Sequence, residues 1–185
     1  MAQTKQDDDC KFWTTEKSVL NTATEDGFLI LPNRALREAD LREISGHYSN
    51  IIALIDSSSQ YPYPEGLLET ILGKSISYDF QKGNSAQLKE KISPLLAEGK
   101  NILFAPGLVT CQRGANFQVP IKNQEMILDT KVNIVPLFIE KITEVNVRID
   151  HTRGTSIAYG KILQGELVTL AAYHEELLIA AEKAF

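Results

Sequence analysis

The stretch from Glu98 to Lys141, EGKNILFAPGLVTCQRGANFQVPIKNQEMILDTKVNIVPLFIEK, constrains the fold more than any other part of the chain. A helix end and Gly turn (Glu98, Gly99) lead into an apolar strand, Ile102 to Ala105, which Pro106-Gly107 breaks. A polar loop, a short amphipathic segment and a second apolar strand, Val132 to Ile139, follow. Strands that are apolar throughout, without polar alternation, are covered on both faces, as in sheets flanked by helices.

The rest of the chain repeats this pattern. Phe28 to Leu31 reads as a strand, opened by Asp26-Gly27 and closed by Pro32, and Asn33 is a plausible N-cap for the helix beyond it. Leu36, Leu41 and Ile44, interleaved with Arg37, Glu38, Arg42 and Glu43, predict a short helix with a solvated face. Ile51 to Ile55 is another apolar run of strand length, followed by a loop over Ser57 to Pro64. A helix over Glu65 to Leu72, ended by Gly73, precedes a strand over Ser75 to Phe80. Asn84 or Ser85 caps a helix over Ala86 to Glu98, which Pro94 is expected to kink or end early. Val145 to Ile149 and Ser156 to Ile162 read as two strands joined by a turn at His151 to Gly154, and Glu166 to Phe185 as a long helix. The expected fold is α/β: a mixed, mostly parallel sheet flanked by helices, its last two strands antiparallel.

At 185 residues the chain suits one domain that buries about 70% of its unfolded surface. Residues 1–15 are expected to be a flexible N-terminus, with the domain over 16–185. A net charge of −5 argues against nucleic acid as a partner. No apolar run reaches the roughly 20 residues that span a bilayer, and the polar, acidic residues 1–10 are no secretory signal. The expected location is the cytoplasm. Cys10 and Cys111 read as free thiols, and His47, His151 and His174 lie too scattered for a zinc site. No metal or cofactor is expected.

The block Leu31-Pro32-Asn33-Arg34-Ala35-Leu36-Arg37-Glu38-Ala39-Asp40 resembles the first motif of the glycerolipid acyltransferases, the lysophosphatidic acid acyltransferase-like domains. There a His and an Asp follow a strand and a Pro-Asn pair. The resemblance implies that Arg34 stands in the place of the catalytic base and that Asp40 falls one position late. A guanidinium stays protonated and cannot act as that base. Phe104-Ala105-Pro106-Gly107-Leu108-Val109-Thr110 is similar to the family's phosphate-binding block without its Glu, with Arg113 as a nearby replacement cation. Val132 to Leu137 and Ile157 to Ile162 resemble two later strands, and the likeness covers roughly residues 27–165, nearest to the acyltransferase part of bacterial fused acyltransferase/acyl-carrier-protein synthetase proteins.

The resemblance implies a degenerate acyltransferase-like domain. Arg34 and Asp40 mark its former catalytic positions, and Asn33, Arg34, Pro106, Gly107, Thr110 and Arg113 its substrate-binding end. The implied partners are a lysophospholipid, an acyl-CoA or acyl carrier protein, a partner synthetase domain, and the inner membrane face as a peripheral contact. The alternative is an active lysophospholipid acyltransferase whose base is His47 or His151. A nucleotide-binding α/β domain is a third reading, weakened by the lack of a Gly-rich phosphate loop. Bland readings stand beside these. Arg34 also reads as a surface arginine of a charged helix, and Asp40 as part of the mixed-charge run Arg37, Glu38, Asp40, Arg42 and Glu43, of the kind that faces solvent. Cys111 has no evident base to make it an acyl acceptor. The stripe Tyr61, Tyr63, Leu67, Leu68, Ile71 and Leu72 suits core packing better than an acyl or membrane contact.

Overall fold

Apolar runs with no polar alternation build the centre of the sheet. The computed structural model describes residues 11–15, 26–48, 50–60, 62–107, 118–146 and 149–183, of which 11–15, 47, 140–146, 149–156 and 183 are described by backbone alone. The strands are β1 (Lys11–Thr15), β2 (Leu29–Pro32), β3 (Ile51–Asp56), β4 (Ser75–Tyr78), β5 (Asn101–Ala105), β6 (Ile134–Asn146) and β7 (Ile149–Tyr159). The helices are α1 (Glu38–His47), α2 (Leu67–Leu72), α3 (Ser85–Ala97), α4 (Ile121–Leu128) and α5 (Leu170–Lys183). One seven-stranded sheet runs in the order β1-β7-β6-β2-β5-β3-β4. Every neighbouring pair is parallel except β6–β7. The α/β class expected from the sequence is therefore the observed one.

Successive residues of β2 supply opposite faces, as the period of two requires. Leu29 and Leu31 join one core with Leu88, Ile92 and Leu96 of α3, Met126 and Ile127 of α4, and Tyr173 of α5. Phe28 and Ile30 join the other with Leu41 and Ile44 of α1 and Leu68 of α2. Tyr63, Ile71 and Leu72 pack against this second core, so with Leu68 these members of the aromatic and leucine stripe are packing. Tyr61 lies outside the described residues.

Tyr173 shows how the two ends of the chain meet. Its fully buried phenol donates to the carbonyls of Leu31 (3.4 Å) and Pro32 (3.0 Å) at the end of β2. Tyr173→Phe is expected to cost about 1–2 kcal/mol, the range for a buried hydrogen bond whose acceptors lose their donor. A lowered urea midpoint with an unchanged slope checks it.

Four local expectations need correction. Residues 11–15 form β1 beside β7 instead of a flexible tail, and the aromatic and β-branched residues Phe12, Trp13, Thr14 and Thr15 suit a strand. Asn33 does not cap α1; Arg37 holds the N-cap position. Pro94 neither ends nor shortens α3, which continues to Ala97. It sits in the last turn, so only one backbone bond is forfeited. The His151–Gly154 turn does not exist: β6 and β7 form one long hairpin that pairs from Leu137↔Tyr159 to Asn146↔Ile149, and His151 to Gly154 are strand. The β-branched Ile142, Thr143, Val145 and Ile149 continue a strand, and a bulge between Ile142 and Thr143 absorbs the irregular register.

Candidate functional site

Strands β2, β3, β4, β5 and β6 all point the same way, so their carboxyl ends share one edge of the sheet. Open α/β sheets bind ligands there. β2 ends at Pro32-Asn33 and the adjacent β5 at Ala105-Pro106-Gly107. The two blocks that carry the family resemblance are thus neighbours in space. Pro106 and Gly107 are both buried.

Asn33 is fully committed to the scaffold. Its Oδ1 accepts the Ile139 N–H (2.9 Å), and its Nδ2 donates to the Ile139 carbonyl (3.3 Å). Its own N–H donates to Leu137 and its carbonyl accepts the Val119 N–H. One side chain therefore ties the turn after β2 to β6, more than 100 residues away. The same Ile139 carbonyl accepts Nε of Arg34 (3.1 Å). Arg34 Nη1 donates to the Ala35 carbonyl (2.9 Å), and Nη2 lies 3.3 Å from Asp40 Oδ2.

Asp40 is the hub. Although it stands in a mixed-charge run, it is completely buried. Its Oδ2 accepts the Arg37 N–H (2.8 Å) and Arg37 Nε (3.2 Å), and its Oδ1 accepts Arg37 Nη2 (2.8 Å). As the third residue of α1, it closes a capping box with Arg37, where a carboxylate also complements the helix dipole. Asp40 is therefore neither a solvated surface charge nor a carboxylate left open to hold an imidazole. The neighbours Glu38 and Arg42, in contrast, pair with each other on the exposed face.

Tyr63 completes the site, and its place there was not legible as a site residue. Its hydroxyl donates to the Leu36 carbonyl at 3.5 Å. Burial pushes this phenol above its ordinary range and the Asp40 charge adds to the rise; the backbone at Leu36 and Gly107 and the Arg34 charge pull the other way. It is a neutral donor at any physiological pH. Asp56, at the end of β3, was missed altogether. Its Oδ1 accepts the Ser58 N–H (2.9 Å) and the Ser58 hydroxyl, and Oδ2 accepts Asn123 Nδ2 (2.9 Å), with both Asp56 and Asn123 buried. The signal was present: an aspartate closing an apolar strand and followed by serines is the pattern of a side chain that turns the backbone.

Thr110, Arg113 and Cys111 lie outside the described residues. The histidines are dispersed. The backbone of His47 ends α1, roughly 14 Å along the helix axis from Glu38, and the chain then leads to Ile51 at the amino end of β3. The strand register sets His151 opposite Glu144, roughly 16 Å along β6 beyond Ile139 at the usual strand rise. His174 sits exposed on α5, its Nε2 3.0 Å from Gln124 Oε1.

Arg34, Arg37 and Asp40 together carry a formal charge of +1 at the carboxyl edge. A positive cluster of low exposure beside the Gly107 backbone favours an anion. The arrangement can attract and orient a phosphate or carboxylate, and no imidazole stands among its described side chains.

The class these features define is an α/β domain with a mixed, mostly parallel sheet and a guanidinium–carboxylate cluster at its carboxyl edge. No protein-family model, no curated protein and no solved structure matches the chain.

Proposed function

We infer that this chain is a non-catalytic, glycerolipid acyltransferase-like domain that binds a phosphate-bearing ligand at the carboxyl edge of its sheet. The ligand chemistry is that of a lysophospholipid headgroup or an acyl carrier's phosphopantetheine. The observation that carries the reading is the commitment of Asp40 to guanidinium partners. Its carboxylate accepts the Arg37 backbone N–H and two Arg37 side-chain nitrogens and lies 3.3 Å from Arg34 Nη2, so arginines occupy the place where a family carboxylate would orient an imidazole. Two further observations support it: Pro32-Asn33 and Pro106-Gly107 end neighbouring strands, and the cluster beside them is cationic.

The expected magnitude favours binding over turnover. Positioned acid–base catalysis supplies about 10²–10⁴-fold, and the residue at the base position is an arginine. Incubation of the full chain with acyl-CoA or acyl carrier protein and a lysophospholipid is expected to give no acyl transfer above background. Titration with glycerol 3-phosphate is expected to move the amide resonances of Leu36 and Gly107. Acyl transfer that disappears in His47→Ala or His151→Ala would overturn this reading in favour of a rearranged active enzyme.

A further inference from the structure

Two separate segments bring donors to the carboxyl edge. Arg34 and Arg37 arrive from the stretch between β2 and α1. Tyr63 arrives from the loop between β3 and α2, and β3 lies on the far side of β5 from β2 in the sheet. Pro62, Pro64, Glu65 and Gly66 of that loop are exposed. Tyr63, half-buried among them, packs its ring against the second core. The ring therefore stands at the boundary between solvent and the guanidinium–carboxylate cluster.

The Tyr63 hydroxyl is poorly used. The hydrogen bond that it donates to the Leu36 carbonyl is 3.5 Å long, whereas O–H···O bonds centre near about 2.7–2.8 Å. Burial, the largest influence on this phenol, keeps its proton on, while the backbone at Leu36 and Gly107 and the charges of Asp40 and Arg34 all lie close enough to act on it. A neutral O–H donor thus stands beside the cationic cluster with a weak partner. A hydrogen bond from a hydroxyl to an anionic oxygen is shorter, about 2.5–2.7 Å, and about twice as strong as one between neutral groups. An anion held at the cluster outcompetes the Leu36 carbonyl for this donor.

Resting on the reading of this edge as a phosphate site, we propose that Tyr63 contacts the ligand and makes the site prefer a phosphate to a carboxylate, its O–H leaving the Leu36 carbonyl for a phosphate oxygen. The shapes of the two anions make the difference. A carboxylate presents two oxygens in one plane, and a guanidinium fork takes both from one side. A phosphate holds its oxygens around a tetrahedron, so an oxygen outside that plane faces a donor from another direction. Tyr63 is that donor, because it enters from the loop after β3 while the guanidiniums enter from the stretch after β2. The phenol keeps its proton, and only hydrogen bonds are exchanged.

The test titrates the full chain and the variant Tyr63→Phe with glycerol 3-phosphate and with glycerate, a diol that ends in a carboxylate, following the Leu36 and Gly107 amide resonances. In the parent, glycerol 3-phosphate is expected to bind and to shift the Tyr63 ring resonances. Tyr63→Phe, which keeps the packed ring, should lose about tenfold in affinity for glycerol 3-phosphate, the scale of one hydrogen bond to a charged group, and nothing for glycerate. The variant's split between the two anions carries the result, because the phosphate also bears more charge. Tyr78→Phe removes another phenol that donates to a backbone carbonyl, that of Asn84 (2.7 Å), and should leave both affinities unchanged. No binding of glycerol 3-phosphate by the parent would overturn the phosphate reading of the edge and the role of Tyr63 with it. Binding by the parent that Tyr63→Phe leaves intact, or weakens equally for both anions, would overturn the role of Tyr63 alone, as would an equal loss in Tyr78→Phe. Parent Tyr63 ring resonances that stay still at saturation with glycerol 3-phosphate would do so too, whatever the stability of the variant.

Discussion

Asp40→Ala is expected to destabilise the domain by about 3–5 kcal/mol, the usual cost of removing one partner from a buried ion pair. Arg34 and Arg37, with side chains 13% and 14% exposed, would face each other across the vacated space without their shared counter-charge. The capping box of α1 would be lost in the same step, which by itself is worth about 0.5–2 kcal/mol and is included in that total. Most domains have only about 5–15 kcal/mol in hand, so the variant should unfold at a much lower urea concentration, followed by far-UV circular dichroism. Asp40→Asn should lose less, because its amide oxygen still accepts the Arg37 N–H while its NH₂ meets guanidinium donors. A triple change of Arg34→Met, Arg37→Met and Asp40→Leu should recover part of the loss, since well-packed apolar groups often replace buried ion clusters without penalty. The result separates two roles for the carboxylate. A residue kept for chemistry is removed at little cost in stability, because functional sites are often strained. A loss below about 1 kcal/mol would therefore show that Asp40 is not the anchor its hydrogen bonds describe.

The centre of the fold was readable because it depends on short, continuous signals. Phe28 to Leu31, Ile51 to Ile55 and Ile102 to Ala105 are apolar at every position, and all three become central strands with helices on both faces. Asn84 was readable as a cap for the same reason: its Oδ1 accepts the Gln87 N–H three residues on. What escaped reading depends on partners distant in sequence. Asn33 looks like a cap until β6 arrives and its Ile139 offers both a donor and an acceptor. The long hairpin looks like two short strands because His151-Thr152-Arg153-Gly154 has turn composition, and only cross-strand pairing carries the chain through it.

What was legible was the placing of two chain segments. Pro32-Asn33 and Pro106-Gly107 reach the carboxyl edge of the sheet because each directly follows a buried strand. Asp40 was misread by its company: Glu38 and Arg42 are an exposed pair, and charge composition alone cannot say that the residue between them points inward. A helical wheel could have, since Asp40 stands next to Leu41 and four residues before Ile44, both fully buried. Asp56 was missed although its signal, an aspartate that closes an apolar strand ahead of serines, stands in the sequence.

Gly27→Ala is expected to destabilise the domain severely, because the added methyl group has no room. A Cβ at this position would sit 1.9 Å from the carbonyl oxygen of Lys100 and 2.7 Å from its carbonyl carbon. Those are backbone atoms, so no side-chain rotation relieves the clash. Neither strand start can yield. Gly27 donates to the Leu96 carbonyl (2.8 Å), and Ile102 donates to Phe28 (2.9 Å). Lys100 is held from the other side by its own bond to Leu95 (3.1 Å) and by Gly99 to Leu96 (2.9 Å). The methyl must therefore separate β2 from β5, the pair at the middle of the sheet. Overpacking usually costs about 1–3 kcal/mol where neighbours can shift; with both sides pinned, about 3–5 kcal/mol is expected, the exceptional end of single substitutions. Gly46→Ala provides the opposite sign. Its Cβ meets nothing within 4 Å, and it stands inside α1, where alanine is favoured over glycine by about 0.5–1 kcal/mol. Equilibrium urea curves for the two variants should therefore move apart, Gly27→Ala to lower and Gly46→Ala to higher midpoints than the parent. A Gly27→Ala midpoint equal to the parent's would mean that β2 and β5 do not start side by side as described.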